Sequence, residues 1–159
     1  NAYLAAVSSS DTEVRVRLGF DKPATGNGTY VSVLGRRVDV SDYRAKVRLQ
    51  ANGTVQVILG TYTGTETPLG SLVLPGLTYT PGETLEVKFQ VTGSAPTTLR
   101  VKVWKTGQAE PVDWTLSATD ATGALQAPGH VGFAMFLSGS ATNAPATVSL
   151  DDLWVGPTA

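Results

Sequence analysis

The sequence predicts an all-β, antiparallel fold, closed as a sandwich or a barrel, and three observations support this. Segments 13–18 (EVRVRL), 43–50 (YRAKVRLQ), 85–91 (LEVKFQV) and 99–104 (LRVKVW) alternate an apolar residue with a mostly basic or amide one. Side chains alternate across a pleat, so each reads as a half-buried strand. Short apolar runs recur between Gly, Pro and Asn punctuators along the rest of the 159 residues. No segment keeps a convincing helical period.

Taken in order, eleven strands are expected. Residues 3–7 and 13–20 open the chain, and the Gly26-Asn27-Gly28 cluster precedes a strand at 29–38. Strands 42–50 and 54–59 flank Asn52-Gly53, a pair that supplies the positive φ angles of a tight hairpin. Strand 69–74 runs into Pro75-Gly76, and Pro81-Gly82, suited to a type II turn, leads into 84–91 and then 98–105. The stretch from Gly107 to Pro128 is weakly patterned, with a short strand at 114–118. Pro128-Gly129 introduces 130–137, a small-residue loop fills 138–145, and 147–155 closes the series. No linker, charge run or repeat divides residues 1–159, so they form a single domain.

The four ladders have two faces. Val14, Val16, Leu18, Tyr43, Ala45, Val47, Leu49, Leu85, Val87, Phe89, Val91, Leu99, Val101 and Val103 share the apolar parity and are expected to fill one core. The other parity carries Arg15, Arg17, Arg44, Lys46, Arg48, Glu86, Lys88, Gln90, Arg100, Lys102 and Trp104. If the ladders are neighbours in one sheet, most of the cations lie on a single surface, a candidate binding face. Outward Lys and Arg are also the ordinary solvent face of an antiparallel sheet.

Composition narrows the function classes. A hydrophobic content of 42% with 16% charged residues argues against disorder. No apolar run reaches the roughly 18 residues of a membrane span, so membrane insertion is not expected. The net charge of −1 does not favour nucleic acid. With no cysteine there is neither thiolate catalysis nor a disulfide framework. The abundance of Thr, Gly, Ser and Val fits secreted β-modules.

Catalytic constellations are sparse. His130 follows Pro128-Gly129 with no second His and no nucleophile motif around it, which suggests a strand-end or surface role. Retaining glycosidases need two carboxylates about 5–5.5 Å apart. The nearest pair, Glu83 and Glu86, is three apart and points to opposite faces of a strand. Lyase chemistry could draw on Tyr30, Tyr43, Tyr62 or Tyr79, but nothing in the spacing gathers a base and an acid.

Asp151 shares parity with Leu153 and Val155 in the final apolar strand, so it is expected to point inward, where calcium or an arginine would have to compensate its charge. Arg36 and Arg37 split between faces, and one is a candidate buried partner for Asp39 or Asp151. Trp114 and Trp154 suit core or interface positions. The Asn27-Gly28-Thr29 and Asn52-Gly53-Thr54 sequons are explained better as turns than as glycosylation sites.

The second half of the chain carries a resemblance. Trp104-Lys105, Pro111-Val112-Asp113-Trp114, Thr119-Asp120, Pro128-Gly129-His130-Val131-Gly132-Phe133 and the closing segment 148–155 (VSLDDLWV) occur in an order that resembles the concanavalin A-like (laminin G-like) jelly-roll superfamily. The stretch from Tyr30 onward is similar to modules of large secreted actinobacterial proteins that also carry PKD-type domains. The resemblance implies a two-sheet antiparallel jelly-roll sandwich, a module of a longer secreted or cell-surface chain, whose concave sheet holds saccharide. It also implies a structural calcium ion at the final-strand aspartate, here Asp151. On such a sheet Trp104 would be an aromatic platform, with Arg15, Arg17, Arg44, Lys46, Arg48, Lys88, Gln90, Arg100 and Lys102 donating to a polysaccharide. The expected function is non-catalytic carbohydrate binding. The alternatives are a structural or adhesive sandwich, packed on neighbouring domains or on its own copies, and, further off, a polysaccharide lyase.

Overall fold

A computed structural model describes residues 1–158. Eleven strands form: β1 (Ala2–Ser9), β2 (Thr12–Phe20), β3 (Thr29–Val38), β4 (Ser41–Leu49), β5 (Thr54–Tyr62), β6 (Glu66–Thr78), β7 (Leu85–Thr92), β8 (Thr97–Lys105), β9 (Leu116–Asp120), β10 (Gly129–Leu137) and β11 (Val148–Gly156). One short 3-10 turn, Gly123–Leu125, interrupts the weakly patterned stretch. Among the described residues no helix is long and apolar enough to cross a membrane.

The strands build two antiparallel sheets, one of six strands in the order β1-β10-β3-β4-β5-β6 and one of five in the order β11-β2-β7-β8-β9. They stack as a two-sheet jelly-roll sandwich. All fourteen residues expected in the core are buried, none above 4% exposed. Val31, Val33, Val55, Val57, Leu59, Val131 and Phe133 join them from the six-stranded sheet. Truncating a core side chain such as Phe89 to alanine would cost about 3–5 kcal/mol.

The turns follow their residues. Glu83 N donates to Thr80 O at 3.0 Å, and Gly82 sits at φ +96°, as the third position of a type II turn requires. At Asn52-Gly53 only the glycine takes a positive φ, +83°. Gln50 N donates to Thr54 O at 2.9 Å, so the loop is longer and less sharply wound than the two-residue hairpin expected.

A bulge in β3 decides where two arginines go. Register against β4 shifts between Leu34 and Arg36, and a Cβ on Gly35 would lie 2.5 Å from Val91 Cγ2. The extra residue therefore fits only without a side chain, and it turns Arg36 into the interior while Arg37 stays outside. The expected split is present, but Arg36 meets neither Asp39 nor Asp151. Its Nη1 donates to Thr97 Oγ1 at 2.8 Å and Leu125 O at 3.1 Å, and its Nη2 to Gly93 O at 2.8 Å and to Ser10 O. Burial lowers its pKa from the ordinary arginine value.

Candidate functional site

The outer face of the six-stranded sheet is built from residues of one parity. On β4 these are Asp42, Arg44, Lys46 and Arg48, which stand opposite Arg37, Leu34, Ser32 and Tyr30 of β3 and opposite Tyr62, Gly60, Ile58 and Gln56 of β5. β10 adds Gly132, Ala134 and Phe136 beside Leu34, Ser32 and Tyr30, and β1 adds Tyr3 beside Gly132. Small floor residues thus lie between large aromatic ones. The result is a groove of about 700 Å³ running across the strands from Asn1 and Tyr3 to the 64–66 turn. Gly132 makes part of this possible, because a Cβ there would lie 2.5 Å from Ala2 O and would push β1 away.

A charged network occupies the groove. Arg44 donates to both oxygens of Asp42, Nε to Oδ1 at 2.6 Å and Nη2 to Oδ2 at 2.7 Å, and its Nη1 donates to Glu66 Oε1 at 2.6 Å. Lys46 Nζ pairs with the other oxygen of Glu66. Burial pulls the Arg44 pKa down, yet the hydrogen bond and charge of Asp42, with Glu66 behind them, lift it above its ordinary value. Burial likewise pushes the Glu66 carboxyl up, and Lys46 and Arg44 together outweigh it, leaving Glu66 below its ordinary value.

Aromatic faces border these cations. Arg37 lies 4.3 Å from the Tyr3 ring centroid and Arg44 lies 4.6 Å from that of Tyr62. Lys46 and Arg48 stand 5.4 and 5.3 Å from the Tyr30 ring, which packs against Phe136 at 5.6 Å. Arg48 spends its Nε on Asn27 O, at 2.9 Å, and Nη1 on Gln56 Oε1, at 3.1 Å. The arrangement offers flat apolar faces beside oriented N–H donors in a cleft open to solvent, which suits a hydroxylated, ring-shaped ligand.

The sequence-predicted residues divide between two surfaces. The expectation of one shared basic face does not hold, because β4 belongs to the six-stranded sheet and β2, β7 and β8 to the other. Arg44, Lys46 and Arg48 are on the groove face. Arg15, Arg17, Lys88, Gln90, Arg100, Lys102 and Trp104 are on the outer face of the five-stranded sheet.

There the segment following β8 folds back over the cations. Trp114 lies 5.0 Å from Lys102 Nζ, 5.3 Å from Arg100 and 5.8 Å from Lys88. Glu110 pairs with Lys88 and Lys102 at 3.0 and 3.1 Å, and Lys102 also donates to Pro111 O and Val112 O. Gln90 is buried against Glu13, and Arg17 is paired with Glu86 and Asp152. Arg15 lies 5.3 Å from the Trp154 ring. Trp104, half-buried, lines a separate cleft of about 490 Å³ with Trp114, Leu72 and Leu77.

Asp151 points outward, opposite Arg17, and is exposed. It departs from the inward parity of Val155 because a bulge between Asp151 and Trp154, with Asp152 at φ +50°, reverses the alternation ahead of Val155. Its Oδ1 accepts from Asp152 N at 2.9 Å, and Asp152 itself is held by Arg17 at 2.7 Å. Two exposed carboxylates, one already paired, are a poor donor set for calcium, which takes six to eight oxygens. Among the described residues no group of three His, Cys, Asp or Glu gathers anywhere. His130 is half-buried at a strand end with Nδ1 2.8 Å from Val7 O.

Sequence reasoning did not single out Tyr3, Phe136, Arg37, Asp42 or Glu66 for the groove, and it named Tyr30 and Tyr62 only as available tyrosines. The parity of Arg44 marks Asp42 as its face-mate. The others depend on which strands pair, which alternation does not encode.

No family model matches the chain, and no curated protein sequence does. Solved structures do match. The carbohydrate-binding module CBM66 from Bacillus subtilis superposes with a TM-score of 0.62 at 14% identity, over 94% of this chain and 77% of that one. The marine PL-14 alginate lyase from Aplysia kurodai gives 0.61 at 12% identity, over 98% and 74%. Scytalido-glutamic peptidase gives 0.57 at 14% identity, over 98% and 78%. At such identities the likeness shows a shared β-sandwich fold, on which a binding module, a lyase and a peptidase all occur.

Proposed function

We propose that this chain is a non-catalytic carbohydrate-binding module of a secreted or cell-surface protein, and that it holds a polysaccharide in the groove across the six-stranded sheet. The observation that carries this reading is the placement of Tyr3, Tyr30 and Tyr62 beside Arg37, Arg44 and Lys46 in one open cleft. Sugar rings stack their C–H faces on aromatic rings, and the guanidinium and ammonium groups donate to ring and hydroxyl oxygens. The fold shared with CBM66 supports it.

Binding suits the groove better than catalysis. Glu66 is held below its ordinary pKa and is therefore ionised at neutral pH, clamped between two cations and unready to donate a proton. Asp42 is fully buried beneath Arg44. The Tyr30 hydroxyl already donates to Asn27 O at 2.8 Å.

A second reading, an adhesive or structural sandwich, draws on β11. Leu153 and Trp154 are 42% and 45% exposed on this strand at the edge of its sheet.

Affinity-gel electrophoresis against a panel of polysaccharides, with wild type and Tyr62→Ala, tests the first reading. Retardation of the wild type that weakens about tenfold in the variant is expected, from the loss of one stacking face. A chain that ignores every glycan and self-associates would favour the second.

A further inference from the structure

Glu66 stands out among the groove residues. It is 43% exposed and sits at the end of the β5–β6 turn, where Thr63, Gly64 and Thr65 are exposed as well. Its two oxygens bridge Arg44 and Lys46, which are themselves only 11% and 15% exposed and are fixed by neighbours. Arg44 is anchored independently by Asp42 and the Tyr62 ring, and Lys46 lies beside Tyr30. Arg44 is thus preorganised and Lys46 is largely buried beside it, whereas the carboxylate that joins them arrives from a solvent-exposed turn.

Two further observations bear on this. Glu66 also borders a void of about 70 Å³ that Arg44, Lys46, Ile58, Gly60 and Pro68 line with it, so its side chain is not packed in on that side. The groove face carries Arg37, Arg44, Lys46 and Arg48 against Asp42 and Glu66, so it is cationic even with Glu66 in place.

We infer that the Arg44–Lys46 pair is a subsite for the carboxylate of a uronate-containing glycan, and that Glu66 is an internal carboxylate occupying it until ligand displaces it. This rests on the groove being the saccharide site. A ligand carboxylate would reproduce both contacts of Glu66, one oxygen on Arg44 Nη1 and one on Lys46 Nζ, and would bring its sugar ring into the groove, which the side chain of Glu66 cannot do. Displacement leaves Asp42 in place, so Arg44 keeps its orientation while ligand exchanges with Glu66.

Titration calorimetry with a tetragalacturonide and its fully methyl-esterified form, on wild type, Glu66→Gln and Glu66→Ala, decides the matter. Glu66→Gln and Glu66→Ala are expected to bind the acid about tenfold more tightly than wild type, because the internal competitor loses its charge. Affinity for the ester should stay within about twofold, and the gain for the acid should fade at high salt. Equal tightening for acid and ester would make Glu66 a mere obstruction and overturn the inference. Unchanged or weaker binding of the acid would overturn it too, and with ester binding retained the groove reading would stand alone. A wild type that binds neither oligosaccharide nor any polysaccharide of the panel would remove both.

Discussion

Asp42 is completely buried, whereas Arg44, two positions along the same strand and bonded to both its oxygens, keeps one edge in the groove. The pair is therefore asymmetric in what its loss exposes. Arg44→Met is expected to lower stability by about 2–3 kcal/mol by leaving a buried carboxylate poorly compensated, since the nearest other cation, Arg37 Nη1, is 3.8 Å away. Asp42→Asn should cost only about 1 kcal/mol, since the amide oxygen still accepts one bond and Arg44 retains Glu66. Urea unfolding of the two variants checks the order, and equal losses would contradict the asymmetry.

Trp104 tests which sheet carries the binding surface. It lies on the five-stranded sheet, away from the groove, so Trp104→Ala should keep polysaccharide affinity within about twofold while Tyr62→Ala loses about tenfold. The reverse result in the same affinity gels would move the site to the cleft beside Trp114.

The Tyr43 hydroxyl donates to Asp120 Oδ2 at 2.6 Å from within the core. Burial, followed by the bond to Asp120, pushes its pKa up to about 12. A phenol whose folded pKa exceeds its unfolded value of about 10 gives stability that is whole below pH 10 and lost as pH rises toward 12, at up to about 1.4 kcal/mol per pH unit. Tyr43→Phe should flatten that alkaline slope. Chemical denaturation between pH 9 and 11, comparing wild type with variant, reads it directly, and parallel slopes would refute it.

The segment over the five-stranded sheet is fastened by Trp114, by Glu110 and by the Lys102 bonds to Pro111 O and Val112 O. Trp114→Ala should cost about 1–2 kcal/mol and open residues 106–113 to proteolysis while leaving groove binding intact. Limited digestion followed by mass spectrometry would show the cut sites, and a protected segment would argue against this fastening.

Most of the fold could be read from the chain. All eleven strands were expected within a few residues of where they lie, because Val, Leu and Arg alternate with the pleat and the Gly and Pro punctuators bound them. The core followed from the same parity. Alternation, however, specifies which side of a strand is apolar and not which strand lies beside it. The ladder at β4 therefore reads as equivalent to those at β2, β7 and β8, though it belongs to the other sheet. Asp151 faces outward against its expected parity for a related reason, since a bulge resets parity without a signal beyond the Asp-Asp pair itself. Of the groove, Arg44, Lys46 and Arg48 were legible, while Tyr3 and Phe136 owe their place to strands distant in sequence.

Calcium at Asp151 can be checked without any glycan. With Arg17 holding Asp152 and both aspartates exposed, melting temperatures in calcium and in chelator should agree within about 1 °C, well under the several degrees that 1 kcal/mol of site stabilisation would give a domain this size. A rise of several degrees in calcium would restore the site.

Arg36 ties together four stretches of chain that are remote from one another: the β1–β2 turn at Ser10, the β7–β8 turn at Gly93, the start of β8 at Thr97 and the 3-10 turn at Leu125. No single one of them can peel away without stripping a bond from a guanidinium sealed off from water. That end of the sandwich should therefore open as a unit or not at all.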